Sequence, residues 1–317
     1  MATYASKLRA SALDGATLRL NASGEAAAGG IMEPFSAGTK GGAPSVFYVD
    51  GNVVSSGNGL SWLSAFKTLA EGLAAAHAYM STSGNRAWAH RATVYCCGDN
   101  LDEDLVILAE KTDIIGVGSA SGYTKCVLDG KHVPVTTNCW GTRWYNMAFC
   151  STVAGCFWTL TSVSGGSEFH NCYFSSRGPA HTIAIQATAV GSMKVHDCTW
   201  EAANTGFSTA AIDILAGDAA QTEIKRNYIA GAIGIRINAS TTTTAGNIVI
   251  DRNIIKSTTE CITDNASVAV VTNNQMITAA STDTTTDGYT FDLALASNNL
   301  LTGSTKTDQI PFISESE

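Results

Sequence analysis

Two short motifs carry opposite charges in like surroundings. Asp213 sits in Ile212-Asp213-Ile214 and Arg236 in Ile235-Arg236-Ile237, so each is a polar residue flanked by isoleucine. A carboxylate beside a guanidinium can work as an acid and base pair. It can also be a plain ion pair between neighbouring strands, worth about 0–1 kcal/mol at a surface. His170 and His196 stand in Phe169-His170-Asn171-Cys172 and Val195-His196-Asp197-Cys198. Two imidazoles suit metal or proton chemistry. A third ligand is missing, however, and the same motif continues into Lys225 and Asp251, which reads as a polar outward ladder. Asp99, Asp102, Glu103 and Asp104 form an acidic cluster that a hard cation could share, but EF-hand spacing and its loop glycine are absent, so a solvated turn is expected. The nine cysteines are Cys96, Cys97, Cys126, Cys139, Cys150, Cys156, Cys172, Cys198 and Cys261. Their number is odd, no pair has CxxC spacing, and most lie in apolar runs, as expected of free thiols packed as small hydrophobes in a reducing compartment. Asp213 and Arg236 are thus the only catalytic candidates, and no cofactor or metal is expected.

Several of these residues lie inside a repeat. The pattern is apolar, two residues, then Asn or Cys (once Met), one residue, apolar. It runs through Trp144–Phe149, Phe169–Phe174, Val195–Trp200, Ile224–Ile229, Ile250–Ile255, Val271–Met276 and Leu295–Leu300. The fourth positions are Met147, Cys172, Cys198, Asn227, Asn253, Asn274 and Asn298, separated by 25, 26, 29, 26, 21 and 24 residues. A second series, Ile183-Ala184-Ile185, Ile212-Asp213-Ile214, Ile235-Arg236-Ile237 and Cys261-Ile262-Thr263, has a similar period. Several short strands per repeat imply coils that stack in parallel about 4.8 Å apart, with like residues in register. Asn227, Asn253, Asn274 and Asn298 would then form an asparagine ladder, with Cys172 and Cys198 in the same column. Aligning the second series places Ala184, Asp213, Arg236 and Ile262 in one outward column, with Asp213 and Arg236 one coil apart. Trp140, Trp144, Phe149, Phe157, Trp158, Tyr173, Phe174 and Trp200 crowd the middle coils, where core filling is expected ahead of a carbohydrate platform.

The 317 residues are 45% hydrophobic, enough for a sizeable core, but only 15% charged, below the usual quarter or so. The net charge of −8 comes with no Lys/Arg cluster, which argues against nucleic acid, and no apolar run is long enough to span a membrane. Met1–Leu13 has Lys7 and Arg9 but no apolar stretch after them, so no secretory signal is read. Residues 1–44 are rich in Ala, Gly and Ser and carry too little apolar surface to fold alone. They are expected to be an extended anchoring or inter-subunit arm. Trp62, Phe66, Leu69 and Leu73 recur at helical spacing and predict a helix over 61–79. Coils are expected over 45–303 and a tail over 304–317.

The early part carries Phe47-Tyr48-Val49-Asp50, Gly59-Leu60-Ser61-Trp62, Ala65-Phe66-Lys67-Thr68-Leu69, Ala92-Thr93-Val94-Tyr95, Asp113-Ile114-Ile115-Gly116 and Cys126-Val127-Leu128-Asp129-Gly130. With the repeat that follows, the chain resembles the right-handed parallel β-helix superfamily named after pectate lyase. The resemblance implies an all-β solenoid with an N-terminal capping helix. That fold hosts lyases, hydrolases, epimerases, adhesins and phage spikes, so it implies no single activity. Lyases of this fold use an Arg or Lys base beside acidic residues that hold calcium, and Asp213 alone is too few. The hydrolase motifs with paired Asp or Gly-His-Gly are absent. The resulting expectation is a non-catalytic structural protein of a tailed-phage virion, a capsid decoration protein or a tail fibre or spike. It would be a homotrimer, as the resemblance implies, bound to other virion proteins through its arm. The alternatives are a polysaccharide lyase or hydrolase acting on a host surface glycan, and a carbohydrate-binding adhesin.

Overall fold

In the computed structural model the described residues lie between Val46 and Gly303, leaving out 82–89, 99–100, 107, 119–121, 123–124, 136–138, 177, 179, 202–205, 218, 279–288 and 291–294. The expected arm, 1–44, and tail, 304–317, are outside them. The chain is all-β apart from one α-helix and short 3-10 turns, and its strands form two large parallel sheets of ten and thirteen strands. Successive strands pass from one sheet to the other and back. Arg143–Tyr145 lies in the ten-stranded sheet, Met147–Cys150 and Gly155–Leu160 in the other, and Ser167–His170 is back in the first. Each pass pairs with the one before and the one after, an arrangement compatible with a β-helix-like solenoid.

Alternation decides which side chains go inward. In the ten-stranded sheet Ile114, Trp144, Phe169, Val195, Ile224, Ile250 and Val271 are in register and fully buried. Residues on either side of each point outward. Parallel sheets normally need both faces covered. Here the inner faces of two sheets cover each other, and the outer faces carry polar and charged columns among some apolar side chains.

A tight bend joins the ten-stranded sheet to the thirteen-stranded one. At each bend one residue takes a left-handed backbone: Asn146, Asn171, Asp197, Arg226, Arg252, Asn273 and Asn298, all with φ between 51° and 57°. The next residue points inward and forms the ladder. The fourth rung is therefore Asn299, and Asn298 occupies the left-handed position instead. In the Asn298-Asn299 pair either residue satisfies a sequence pattern, and only strand pairing separates them.

The helix is shorter than its periodicity suggests. A 3-10 turn spans Trp62–Ser64, and the α-helix runs over Leu69–Ser81. Phe66 is pulled out of helical conformation because its backbone pairs with the first strand: its N–H donates to the Tyr48 carbonyl at 2.9 Å, and its carbonyl accepts from Asp50 at 2.8 Å. A reciprocal cap then starts the helix. The Thr68 hydroxyl accepts from the Glu71 N–H (3.3 Å), and the Glu71 carboxylate accepts from the Thr68 N–H (3.1 Å). Leu69, Leu73, Ala76, Tyr79 and Met80 face the core over the first strands. Gly72 is required there, since a Cβ would lie 2.6 Å from a Val49 methyl.

Candidate functional site

Asp213 and Arg236 lie on adjacent strands of the thirteen-stranded sheet, directly in register. Arg236 binds the carboxylate with both arms of its fork, Nε to Oδ1 at 2.8 Å and Nη2 to Oδ2 at 2.9 Å. Asn238 Nδ2 donates to Oδ1 at 2.9 Å, and Gln186 Nε2 to Oδ2 at 3.2 Å. Four donors on two oxygens use about all the lone pairs a carboxylate has. The Asp213 side chain has no exposed surface, whereas a quarter of Arg236 remains exposed. The hydrogen bond to Asp213 raises the Arg236 pKa, while partial burial works against it. A general base needs the opposite shift. The pair is a buried, fully bonded ion pair with no oxygen left over for a substrate proton.

Its column differs from the expected one. Thr159, Gln186, Asp213, Arg236 and Thr263 are the partners in register, and Ala184 and Ile262 are buried instead of outward. The Ala184 error is a slip of two residues, in a strand whose register shifts between His181 and Ile183. The Ile262 error is a slip of one, permitted by the apolar pair Cys261-Ile262.

The outer face of the ten-stranded sheet carries two polar columns. Tyr145, His170, His196, Lys225 and Asp251 follow one another in one of them. Asp113, Arg143, Glu168, Lys194 and Glu223 form the other and alternate in sign. Glu168 sits between two cations and an imidazole: Arg143 Nε at 3.2 Å, Lys194 Nζ at 3.7 Å and His170 Nε2 at 2.8 Å. Burial pushes its pKa up, but the His170 hydrogen bond and the two fixed cations outweigh that and hold it at about 2. Burial, and then the neighbouring His170, lower the His196 pKa. The two imidazoles are 5.3 Å apart and nearly perpendicular. His170 Nε2 is directed at Glu168 and His196 Nε2 lies 3.3 Å from Glu223, so the rings do not share a ligand position. Among the described residues no three His, Cys, Asp or Glu side chains are placed to hold a metal.

The acidic cluster is dispersed. Asp99 lies outside the described residues. Glu103 receives the Leu69 and Ala70 N–H groups at 2.6 and 2.8 Å, binding the first turn of the helix, so it is a half-buried helix cap rather than part of a solvated turn. Burial raises its pKa despite those two bonds. Asp104 accepts the Lys131 N–H at 2.7 Å. Of the expected core aromatics, Trp144, Phe149, Phe157, Trp158, Phe174 and Trp200 are fully buried. Tyr173 is half-buried and Trp140 is 56% exposed.

Two residues that pattern reading passed over have defined structural roles. Lys125 is buried, and its Nζ donates to Asn146 Oδ1 (2.7 Å) and to the Asn171 carbonyl (2.6 Å), tying three successive passes at the bend. His132 lies wholly in the core against Trp158, with ring centres 4.3 Å apart, and its Nδ1 accepts the Leu105 N–H at 3.2 Å. Burial alone pushes its pKa down to about 3. Neither stands in a repeat motif, so no spacing signals them.

The chain matches no family model, no curated protein and no solved structure.

Proposed function

We propose that this chain is a right-handed parallel β-helix serving as a non-catalytic structural protein of a tailed-phage virion, as a capsid decoration protein or a tail fibre or spike. Its residues 1–44 anchor it to other virion proteins, and three copies assemble around a threefold axis. The observation that carries the non-catalytic part is the Asp213 carboxylate, which is fully buried and saturated by four donors. Charges on the other outer face are likewise engaged, with Glu168 held by Arg143, Lys194 and the His170 ring. Ion pairs bonded in this way among the described residues suit an exposed shell component. The virion and the threefold axis rest on the family resemblance.

Incubation with pectin, alginate and bacterial capsule is expected to release neither ultraviolet-absorbing unsaturated products nor reducing ends. Release that disappears in Asp213→Ala or Arg236→Ala would replace this reading with the polysaccharide-degrading one. Deletion of residues 1–44 is expected to abolish co-sedimentation with particles, and light scattering of the full chain is expected to give three times the chain mass.

A further inference from the structure

Lys125 is an amine in surroundings that ordinarily exclude one. It stands directly before Cys126, and Asn146 stands directly before Met147. Cys126 and Met147 are partners in register on adjacent strands, so the two polar side chains leave neighbouring passes at the same bend. Lys125 is only 6% exposed. Its Nζ donates to two neutral oxygens, Asn146 Oδ1 at 2.7 Å and the Asn171 carbonyl at 2.6 Å. Among the described residues no carboxylate pairs with it. Burial lowers its pKa, with the Cys172 and Cys198 thiols opposing the shift. A lysine desolvated in this way becomes a nucleophile once it is uncharged.

Asn146 presents the matching electrophile. Its amide carbon, Cγ, is one bond from the oxygen that Nζ touches. The amide is held at both ends. Its Nδ2 donates to the Gly116 carbonyl at 2.8 Å, and Asn171 Nδ2 donates to its Oδ1 at 3.4 Å. The Asn171 donor stays on Oδ1 as that oxygen gains negative charge during attack on Cγ. Amine and amide are thus fixed side by side, which turns a reaction between two molecules into one within a single chain.

We propose that Lys125 and Asn146 join in an intramolecular isopeptide bond. The ammonium first gives one proton to water. The uncharged Nζ then attacks Asn146 Cγ, the Nζ–Cγ bond forms and the Cγ–Nδ2 bond breaks. One Nζ hydrogen passes to Nδ2, which leaves as ammonia. One amide replaces another, so no oxidant or reductant is consumed. Asn146 is half-buried, which gives the ammonia a path to solvent. The bond fastens two passes covalently in the part of the stack where the inward column after the bend holds sulfur side chains instead of asparagine. It does not depend on the protein's role in a particle.

Intact mass spectrometry of the full chain tests it. Incubation at about pH 9, which uncharges more of the amine, is expected to lower the mass by one ammonia. The loss is expected to form about tenfold faster per pH unit while the amine is mostly charged. Trypsin should then give residues 112–131 joined to 144–177, uncut after Lys125. Lys125→Arg and Asn146→Ala are each expected to keep the full mass. A wild-type chain that keeps its full mass overturns the proposal without need of any variant. So does a loss that the tryptic peptides place on one asparagine alone, or one that persists in either variant.

Discussion

The two halves of the molecule hold the same bend with different chemistry. In the later half the inward residue after the bend is an asparagine. Asn253 accepts both the backbone N–H and the Nδ2 of Asn227 at 3.0 Å, and its own Nδ2 donates to the Ile224 carbonyl at 2.9 Å. Each rung is thereby fixed to the passes on either side by directed bonds. In the earlier half the same column holds Cys126, Met147, Cys172 and Cys198. Cys198 Sγ lies 3.4 Å from the Cys172 N–H and 3.2 Å from the His196 carbonyl, contacts of a weak donor and acceptor. What the sulfurs lack in direction the aromatics supply in shape. Trp144, Phe149, Trp158 and Phe169 interlock at centroid distances of 4.9–6.0 Å, and Phe174 stacks on Trp200 at 4.5 Å. The core of the later half is mostly isoleucine, valine and alanine. A parallel stack can therefore be kept in register by an amide ladder or by irregular interlocking rings, and this chain changes from one to the other where Cys198 donates its N–H to Asn227 Oδ1 at 2.8 Å.

If shape holds the earlier half, the largest loss should come from removing a ring. Trp144 and Ile250 occupy the same inward column. Trp144→Ala is expected to cost about 3–5 kcal/mol and Ile250→Ala about 2–5 kcal/mol, with the tryptophan change the larger, by urea unfolding. An isoleucine variant hit as hard or harder would remove the distinction.

Acid should weaken the earlier half through His132. Its folded pKa is about 3, against about 6.5 for an unfolded histidine. Between those values the unfolded chain binds a proton that the folded chain refuses. The contribution is complete above pH 6.5 and falls away as pH drops toward 3, by about 4–5 kcal/mol in all. His132→Leu should flatten that part of the stability profile while lowering stability at pH 7, because the Leu105 N–H loses its acceptor. An unaltered slope in the variant would assign the acid sensitivity elsewhere.

The ladder itself offers a sharper contrast. Asn253→Ala leaves the Asn227 N–H and Nδ2 groups without their acceptor and should cost about 1–3 kcal/mol. Cys198→Ala removes weaker contacts and a smaller volume, and should cost about 1 kcal/mol. Equal melting temperatures for the two would mean that the amides add no more than the thiols.

The smallest effect expected is a gain. Arg252 holds the left-handed position with φ 56°, a site that asparagine occupies in four of the seven passes. A long L side chain there costs about 1–2 kcal/mol that asparagine partly avoids. Arg252→Asn should raise stability by about 0.5–1 kcal/mol, since its contact with Asp251 is long at 3.6 Å and exposed. Thermal melts that show a loss would mean that the Asp251 contact outweighs the backbone strain.

The sequence by itself determined the period, the strand alternation, the inward apolar columns and the placing of asparagine and cysteine at one bend. These are local properties: a side chain's parity along a strand is written in its neighbours, and a repeat shows itself by recurrence. It also brought Asp213 and Arg236 together, because both motifs are isoleucine-flanked and unbroken. Pairing across passes was decided only by the tertiary structure. Asn299 in place of Asn298, and Gln186 and Thr263 in place of Ala184 and Ile262, are slips of one or two residues that the apolar pattern tolerates. The roles of Glu103, Lys125 and His132 depend on partners 21 to 46 residues away that share no motif with them. Saturation of Asp213 likewise required Asn238 and Gln186, whose donors converge only once three strands are in register. The physical reason is the same throughout. Alternation specifies which face a residue takes, whereas hydrogen bonding between passes specifies which residue it meets there.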